Sequence, residues 1–450
     1  MKFSRWVSLP LLLLSAAISI VWGSSLAMTR YGTTDFRAVY YGTRCLLQHH
    51  DPYKVSDLER VVRDEHGERP SEPVQQHQAV TVYVNLPTTF LFVAPFAILP
   101  YGVAQMLWLV LLAALLLLAG FLVWNLSEGY APGVSLFLIC MVLANSVVIF
   151  GDANTAGIAV SLCLAAVWCF VRERFVLAGI LCMALSLAIK PHDSGFVWLY
   201  FLLVGGAYRK RALQSLTVTL LLGLSAFLWV SLVAPQWVQD WHTNLSTIST
   251  HGHINAPGPA SIVGFNNLSP VIDLQSVISV FRDDPRVYNS ITYLVCGPLL
   301  LLWTIATLRS PFLKTRAWLA LAVIVPLTML GTYHRLWDAK LLLLTVPACA
   351  ILWAEGGLRR WFALALTLAG ILVTSDVPLE LLYGDGKDLP LATPTLPGKI
   401  MTVLLYRPIP VVLLVVGCFY LWAFMTYKFQ PDGLLQQDDV INEPVLAVAK

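Results

Sequence analysis

Apolar runs recur along the chain with brief polar breaks between them. Many of these runs reach roughly 20 residues, the length at which a helix crosses the hydrocarbon core of a bilayer. The pattern predicts an all-α, polytopic membrane fold of about 12 spans, or about 13 if residues 79–99 cross fully. Prolines at 87, 95 and 100 interrupt that segment, so it is expected to dip into the membrane and return. Basic clusters fill several of the breaks: Arg172-Glu173-Arg174, Arg209-Lys210-Arg211, the stretch Arg309 to Arg316, and Arg359-Arg360. Because Lys and Arg accumulate in cytoplasmic loops, these breaks are expected on the cytoplasmic side. The 34 residues between the first two clusters allow two tight spans that meet at Lys190-Pro191-His192-Asp193 on the opposite face.

The same alternation places a first extracytoplasmic loop at 29–78 and a second large one at 235–288. The Thr332 to Asp338 turn and 376–400 fall on that side too. Within the first loop, 37–49 and 54–66 are expected as short amphipathic helices on the membrane surface. The spans make one domain over 1–427, with a cytoplasmic tail at 428–450 and both termini cytoplasmic. Lys2 and Arg5 precede an apolar run from Trp6 to Met28, longer than a signal-peptide core, so an uncleaved first helix is expected. No internal repeat is evident.

Composition agrees with this pattern. Hydrophobic residues are 57% of the chain, charged residues 12%, and the mean hydropathy is +0.71, whereas a soluble domain needs about a quarter of its residues charged to cover its surface. The net charge of +3 comes from short clusters between spans, which is a topology signal and not a nucleic-acid footprint. The eight cysteines (Cys45, Cys140, Cys163, Cys169, Cys182, Cys296, Cys349 and Cys418) form no CxxC pair, and all but Cys45 sit in apolar stretches. They read as small core residues, with Cys45 a free thiol in the first loop.

The informative polar residues fall at span ends on one face. Asp35 follows the first span, with the aromatic pair Tyr40 and Tyr41 behind it and Asp51-Pro52-Tyr53 closing the stretch. Asp152 and Asn154 occupy a Gly-Asp-Ala-Asn turn. Lys190 and His192, then His334, Arg335 and Asp338, complete the group. Ionisable residues at membrane depth are costly to hold and point to function. A carboxylate facing such cations could remove a proton from a hydroxyl while they offset the charge of a phosphate. Plainer readings stand beside this one. Asp35 could cap a surface helix, Lys190 could snorkel from a span end, Asp51-Pro52 could be a turn, and Asp338 could pair with Arg335 three residues away. Asn244 and Asn267 lie in glycosylation sequons, a frequent chance match.

These same residues carry a resemblance. TDFRAVYYGTRCLLQHHDPY resembles the first-loop signature of glycosyltransferase family 87, a group of membrane mannosyltransferases with the GT-C fold. NLPTTFLFVAPFAILPYGVAQMLW is similar to the family's Pro-containing segment, GDAN to its Gly-Gln-x-Asn turn, LAGILCMALSLAIKPH to its Ala-Gly-(apolar)-Lys-x-x-Pro helix, and HRLWDAKLLLLTVPA to its His-x-x-Tyr-Asp helix. The pieces run in family order over roughly 6–355. The chain departs from the pattern at Asp152, where Gln is usual, at Trp337 in place of Tyr, and at Pro191, which follows Lys190 directly.

The resemblance implies a transferase that takes a hexose, typically mannose, from a polyprenyl-phosphate donor to a hydroxyl of a glycolipid or glycan acceptor, with inversion. Asp35 is the implied general base. Lys190, His334, Arg335 and His192 are the candidates for holding the donor phosphate. Tyr40, Tyr41, Asp51, Asp152, Asn154 and Asp338 are further candidates around them. With no Asp-x-Asp motif in the first loop, no metal and no other cofactor is expected. Partners are then the lipid-linked donor, the acceptor and membrane lipid, with no nucleic acid, at a bacterial inner membrane. A GT-C transferase of another sugar, a lipid-linked glycan ligase, and a transporter or lipid flippase are the alternatives. A transporter would place its charges near the midplane between two repeated halves.

Overall fold

The structure is a computed structural model that describes residues 5–29, 32–66, 74–251, 253, 255–258, 271–310, 314–376 and 395–427. Among these the chain is helical throughout, with one isolated antiparallel bridge, Val271 to Arg335. Eight helices are long and apolar enough to cross a membrane. They are α1 (Arg5–Ala27), α6 (Tyr101–Ser127), the pair α7 (Pro132–Ala144) and α8 (Val147–Gly151) taken as one, α9 (Thr155–Arg172), α12 (Gly206–Val233), α15 (Pro285–Arg309), α16 (Lys314–Gly331) and α20 (Pro408–Thr426). The chain is therefore an all-α polytopic membrane protein.

The other spans expected from the sequence are shorter. α10 (Val176–Ile189) and α11 (Pro191–Val204) have 14 residues each, about 21 Å of helix against a core of about 30 Å. Pro191 sets the break between them. It has no N–H to give and forces the residue before it out of the helical region, so Lys190 sits at φ −143°, ψ 86°. A 3₁₀ helix (Asp338–Leu344) leads into α17 (Thr345–Glu355), and α18 (Arg359–Val373) follows. α5 (Thr88–Ala97) is ten residues long, about 15 Å, too short to cross. Among residues 79–99 there is therefore no helix long enough to span.

α9 and α16 form the centre, α12 and α15 the periphery. Within their apolar stretches 89% of α9 is buried against 11% of α12, so the latter's leucines face lipid. α1 is part of the bundle: Ser19 Oγ donates to the Leu143 carbonyl at 2.6 Å and accepts the Ser146 N–H at 2.9 Å, tying α1 to the α7–α8 break. A buried ion pair holds the same break from the other side. Lys340 Nζ donates to the Asn145 carbonyl at 2.5 Å and lies 3.5 Å from Asp376 Oδ1, while Asp376 Oδ2 accepts the Val148 N–H at 2.9 Å.

The first loop folds into α2 (Thr34–Leu47), α3 (Val55–His66) and α4 (Val74–Thr81). Two short helices stand where amphipathic ones were expected, but α2 does not lie on a surface. Ten of its 14 residues are buried, because it packs between α5 and α4. Cys45 is correspondingly a buried helix residue and not a loop thiol. Asn244, in α13 (Trp237–Ser249), is also buried, and its amide donates to the Tyr53 and Tyr83 carbonyls at 2.8 and 3.0 Å. It pins the second large loop to the first and is not available as a glycan acceptor. α14 (Leu274–Phe281) and α19 (Leu396–Tyr406) complete the loop layer. Asn267, residues 377–394 and the tail from 428 lie outside the described residues.

α9 and α10 approach most closely at Gly179, where a Cβ would fall 2.6 Å from the Cys169 Cβ. Gly179→Ala is expected to lower the stability of the purified protein by about 1–3 kcal/mol through overpacking. Gly223→Ala, where a Cβ meets nothing within 4 Å, is expected to leave the thermal midpoint unchanged or raise it.

Candidate active site

The site is built where three chain breaks meet. The first is the start of α2. Thr33 precedes it at φ 55°, in the left-handed region that residues with a Cβ seldom adopt. Its N–H donates to the Gly151 carbonyl at 2.7 Å, and its hydroxyl lies 2.7 Å from that of Tyr101. The Phe36 N–H donates to the Asp152 carbonyl at 3.3 Å. The opening turn of α2 is thus stitched onto the Gly-Asp-Ala-Asn turn, which is the second break. Ala153 is itself at φ 50°, and its carbonyl accepts the Trp108 indole N–H at 2.9 Å. Two residues held in this uncommon conformation at one contact are what a pre-shaped functional site shows.

Asn154 joins the two breaks chemically. Its Oδ1 accepts the Ala156 N–H at 2.7 Å as the N-cap of α9, which fixes the amide's orientation. Its Nδ2 then donates to Asp35 Oδ2 at 2.5 Å. Asp35 is deep in the protein yet keeps part of its surface accessible. Burial pushes its carboxyl above the ordinary carboxylate range, while the Asn154 hydrogen bond and the charges of Lys190 and Arg335 pull it back. Asp152 lies beside it and is also partly accessible. Burial, then the charge of Asp35, drives Asp152 well above that range. Both carboxyls are thus pushed toward their protonated forms, Asp152 the further of the two.

The third break is Lys190, facing the turn before the 3₁₀ helix. Lys190 Nζ donates to Asp338 Oδ1 at 3.0 Å, and Asp338 Oδ2 accepts the Arg335 N–H at 2.8 Å. Asp338 therefore pairs with Lys190 across 148 residues of sequence, and it also accepts the backbone N–H of Arg335. Lys190 is not snorkelling at a surface: its side chain is 12% exposed and lies over the Trp337 ring. The Arg335 guanidinium donates to the Tyr333 hydroxyl and to Asn255 Oδ1 at 2.5 and 3.0 Å, and lies over the Tyr333 and Trp337 rings. The turn is anchored by the Ile272 N–H, which donates to the His334 carbonyl at 2.9 Å.

The fold thus brings Asp35, Asp152, Asn154, Lys190, Arg335 and Asp338 together, with His334 and His192 alongside. It leaves three candidates outside. Tyr40 donates to the Leu99 carbonyl at 2.7 Å, and Tyr41 stacks on Tyr101 at 5.7 Å between ring centres, so both support α2 from behind. Asp51 Oδ1 accepts the Tyr53 N–H at 2.9 Å, the plain turn that Asp-Pro predicts.

Two residues join the site that the sequence did not single out. Asp193 is fully buried beside His192 and His334, and Trp337 buries an indole N–H with no acceptor in the protein. A carboxylate in the first turn of an apolar helix was the available signal for Asp193. Trp337 was visible only as a departure from a family pattern.

The family model for Glycosyltransferase family 87 matches residues 83–330, more than half of the chain. Comparison with curated proteins and with solved structures gives no significant match. The matched stretch contains Asp152, Asn154, Lys190 and His192, while Asp35, Arg335 and Asp338 lie beyond it and meet them through the fold. The chain belongs to glycosyltransferase family 87 and is a membrane glycosyltransferase.

Proposed function

We propose that the chain transfers a hexose, most simply mannose, from a polyprenyl-phosphate donor to a hydroxyl of a glycolipid or glycan acceptor. Asp35 acts as general base. The acceptor hydroxyl gives its proton to Asp35 as its oxygen bonds to the anomeric carbon, and the bond from that carbon to the phosphate oxygen breaks on the opposite face. A β-linked donor then yields an α-glycoside. The phosphate leaves with its charge met by Lys190 and Arg335, beside which stand His334 and His192, and the free Trp337 N–H offers a donor to one of its oxygens. The observation that carries this reading is the junction itself. A partly accessible carboxyl is aimed by a capping asparagine and faces two permanent cations held in place by Asp338, Tyr333 and Asn255. We place this site on the extracytoplasmic face of a bacterial inner membrane, with both termini cytoplasmic.

Asp35→Asn keeps the Asn154 contact possible but cannot take a proton. In membranes supplied with labelled polyprenyl-phosphate mannose and a panel of acceptors, transfer is expected to fall about 10²–10⁴-fold. Transfer at the normal rate would sink the base assignment, and donors carrying arabinofuranose or glucose in the same assay decide the sugar.

The pH profile tests the aiming. Asp35 works deprotonated and its pKa is raised, so kcat/KM should fall as pH drops through a value above the usual carboxylate range. Asn154→Ala removes a hydrogen bond to the charged form, about 1.5–3 kcal/mol, and should move this limb up by about 1–2 pH units. An unmoved limb means that Asn154 does not set the base.

Orientation is read by labelling. Cysteines placed at Asp64 and at Arg174, both exposed, in a background with exposed Cys418 replaced by Ser, should react with an impermeant reagent from outside at Asp64 only. Reaction at both positions, or at Arg174 alone, overturns the orientation.

A further inference from the structure

A second constellation lies just behind Lys190. His192 and Asp193 open α11, and His334 reaches them from the turn before the 3₁₀ helix. His192 Nε2 is 3.6 Å and His334 Nε2 3.7 Å from Asp193 Oδ1. Both Nε2 atoms and both Asp193 oxygens are buried with no hydrogen-bond partner assigned among the described residues, and the Asp338 carboxyl stands close to Asp193. His334 and Asp193 are almost wholly enclosed, at 1% and 0% side-chain exposure.

The tautomer of His334 makes this arrangement pointed. Its Nδ1 lies 3.0 Å from the Thr332 carbonyl, which can only accept, so Nδ1 carries the proton. In the neutral ring Nε2 is then a bare lone pair, and it faces a carboxylate that is also an acceptor. Bare acceptors converging in a buried space repel unless a proton, on the Asp193 carboxyl or on His192 Nε2, or a metal cation stands between them. The local charge gives the same answer. Lys190 is shared by two carboxyls, bonded to Asp338 at 3.0 Å and within electrostatic reach of Asp193, so the two carboxylates together carry more negative charge than Lys190 offsets.

We infer that His192, Asp193 and His334 bind a divalent first-row transition-metal ion of zinc type. Zn–N and Zn–O bonds of about 2.0–2.2 Å place tetrahedral ligands about 3.3–3.6 Å apart, and the separations here are 3.6 and 3.7 Å. Two imidazoles and one carboxylate suit zinc and its neighbours, whereas magnesium and calcium prefer all-oxygen shells. A ligating histidine ordinarily gives its other N–H to a carbonyl or carboxylate, as His334 does to Thr332. Three protein ligands leave a coordination position open. The sequence expectation of a metal-free site came from the absence of an Asp-x-Asp pair and from the resemblance, whose family is generally regarded as needing no metal. These donors arise instead from segments 141 residues apart, one of them at the point where Lys190-Pro191-His192-Asp193 departs from the Lys-x-x-Pro pattern. That the ion adds its charge to the donor-phosphate pocket rests on the donor reading above; metal binding itself does not.

The test uses the intact chain, purified in nanodiscs, stripped with chelator and given Zn²⁺ or Co²⁺ alone. About one equivalent per chain is expected by elemental analysis, with a rise in thermal midpoint and, for Co²⁺, visible d–d absorption of a tetrahedral site without thiolate charge-transfer bands. His192→Ala and Asp193→Asn should each weaken binding at least about 10-fold. Should Asp193→Asn fail to fold, His192→Ala, at a side chain 34% exposed, gives the answer. The inference is overturned if the native chain holds no stoichiometric metal, if these variants bind as tightly as it does, or if thiolate bands place the ion on a cysteine. None of these readouts involves sugar transfer, so their failure leaves the Asp35 assay to be judged separately.

Discussion

The pairing of Lys190 with Asp338 is the constraint on which the site depends. Both side chains are buried, and removing two charges from water costs several kcal/mol each. Such a pair persists only where the remaining donors and acceptors are met. Asp338 meets this condition by taking the Arg335 N–H on its second oxygen, and Lys190 lies on the Trp337 face. Those contacts fix the backbone of the 335–338 turn against the α10–α11 break. The Arg335 guanidinium is directed by that turn, and His334 is carried toward Asp193. Releasing the pair would therefore disturb every cationic group near Asp35 at once.

The carboxyl side is organised on a different principle. Among the described residues no Lys or Arg is hydrogen-bonded to Asp35. Neutral groups set it, because Asn154 spends one end of its amide on the α9 cap and the other on Asp35. A base bonded directly to lysine would be too weak to take a proton from a hydroxyl, since the ion pair favours its ionised form. An amide orients the carboxylate at a smaller cost in basicity. Lys340 and Asp376 extend this support backward, clamping the α7–α8 break that leads into the same turn. Two buried ion pairs thus hold the walls, and Asp35, the proposed base, stands between them with no ion pair of its own among the described residues.

Much of this was legible in the sequence, and the boundary of what was legible is physical. Apolar runs predict spans because length and composition alone settle whether a helix can cross. The prolines in and around α5 mark it as a short, interrupted element for the same kind of local reason. Asp35, Lys190, His334 and Asp338 could be named because charges in an apolar chain are rare. Their partners could not. Asp338 is three residues from Arg335, and helical spacing favours that pairing, yet its side chain takes Lys190 from 148 residues away. The burial of α2, Cys45 and Asn244 was likewise hidden, since an amphipathic helix reads the same on a membrane surface or wedged between neighbours. Asp193 was passed over because its value lies in two histidines from different segments.

The short helices give the arrangement its final logic. α10 and α11 reach only about two thirds of a bilayer core. If they start from the cytoplasmic side, their junction at Lys190 comes to rest below the opposite surface. In the reaction proposed above, a donor whose phosphate is tethered to a long lipid would carry its charge at the headgroup level and lower it slightly to reach Lys190. The acceptor hydroxyl would arrive from water, where the first loop folds over the site through α2. Asp35 lies at the seam, on a water-side helix whose first turn is bonded to a membrane-side break. A base at that seam can meet both substrates, whereas one fixed wholly in a span or wholly in a loop could meet only one. α5, itself too short to cross, packs against α2 and so helps to hold that helix in place over the site.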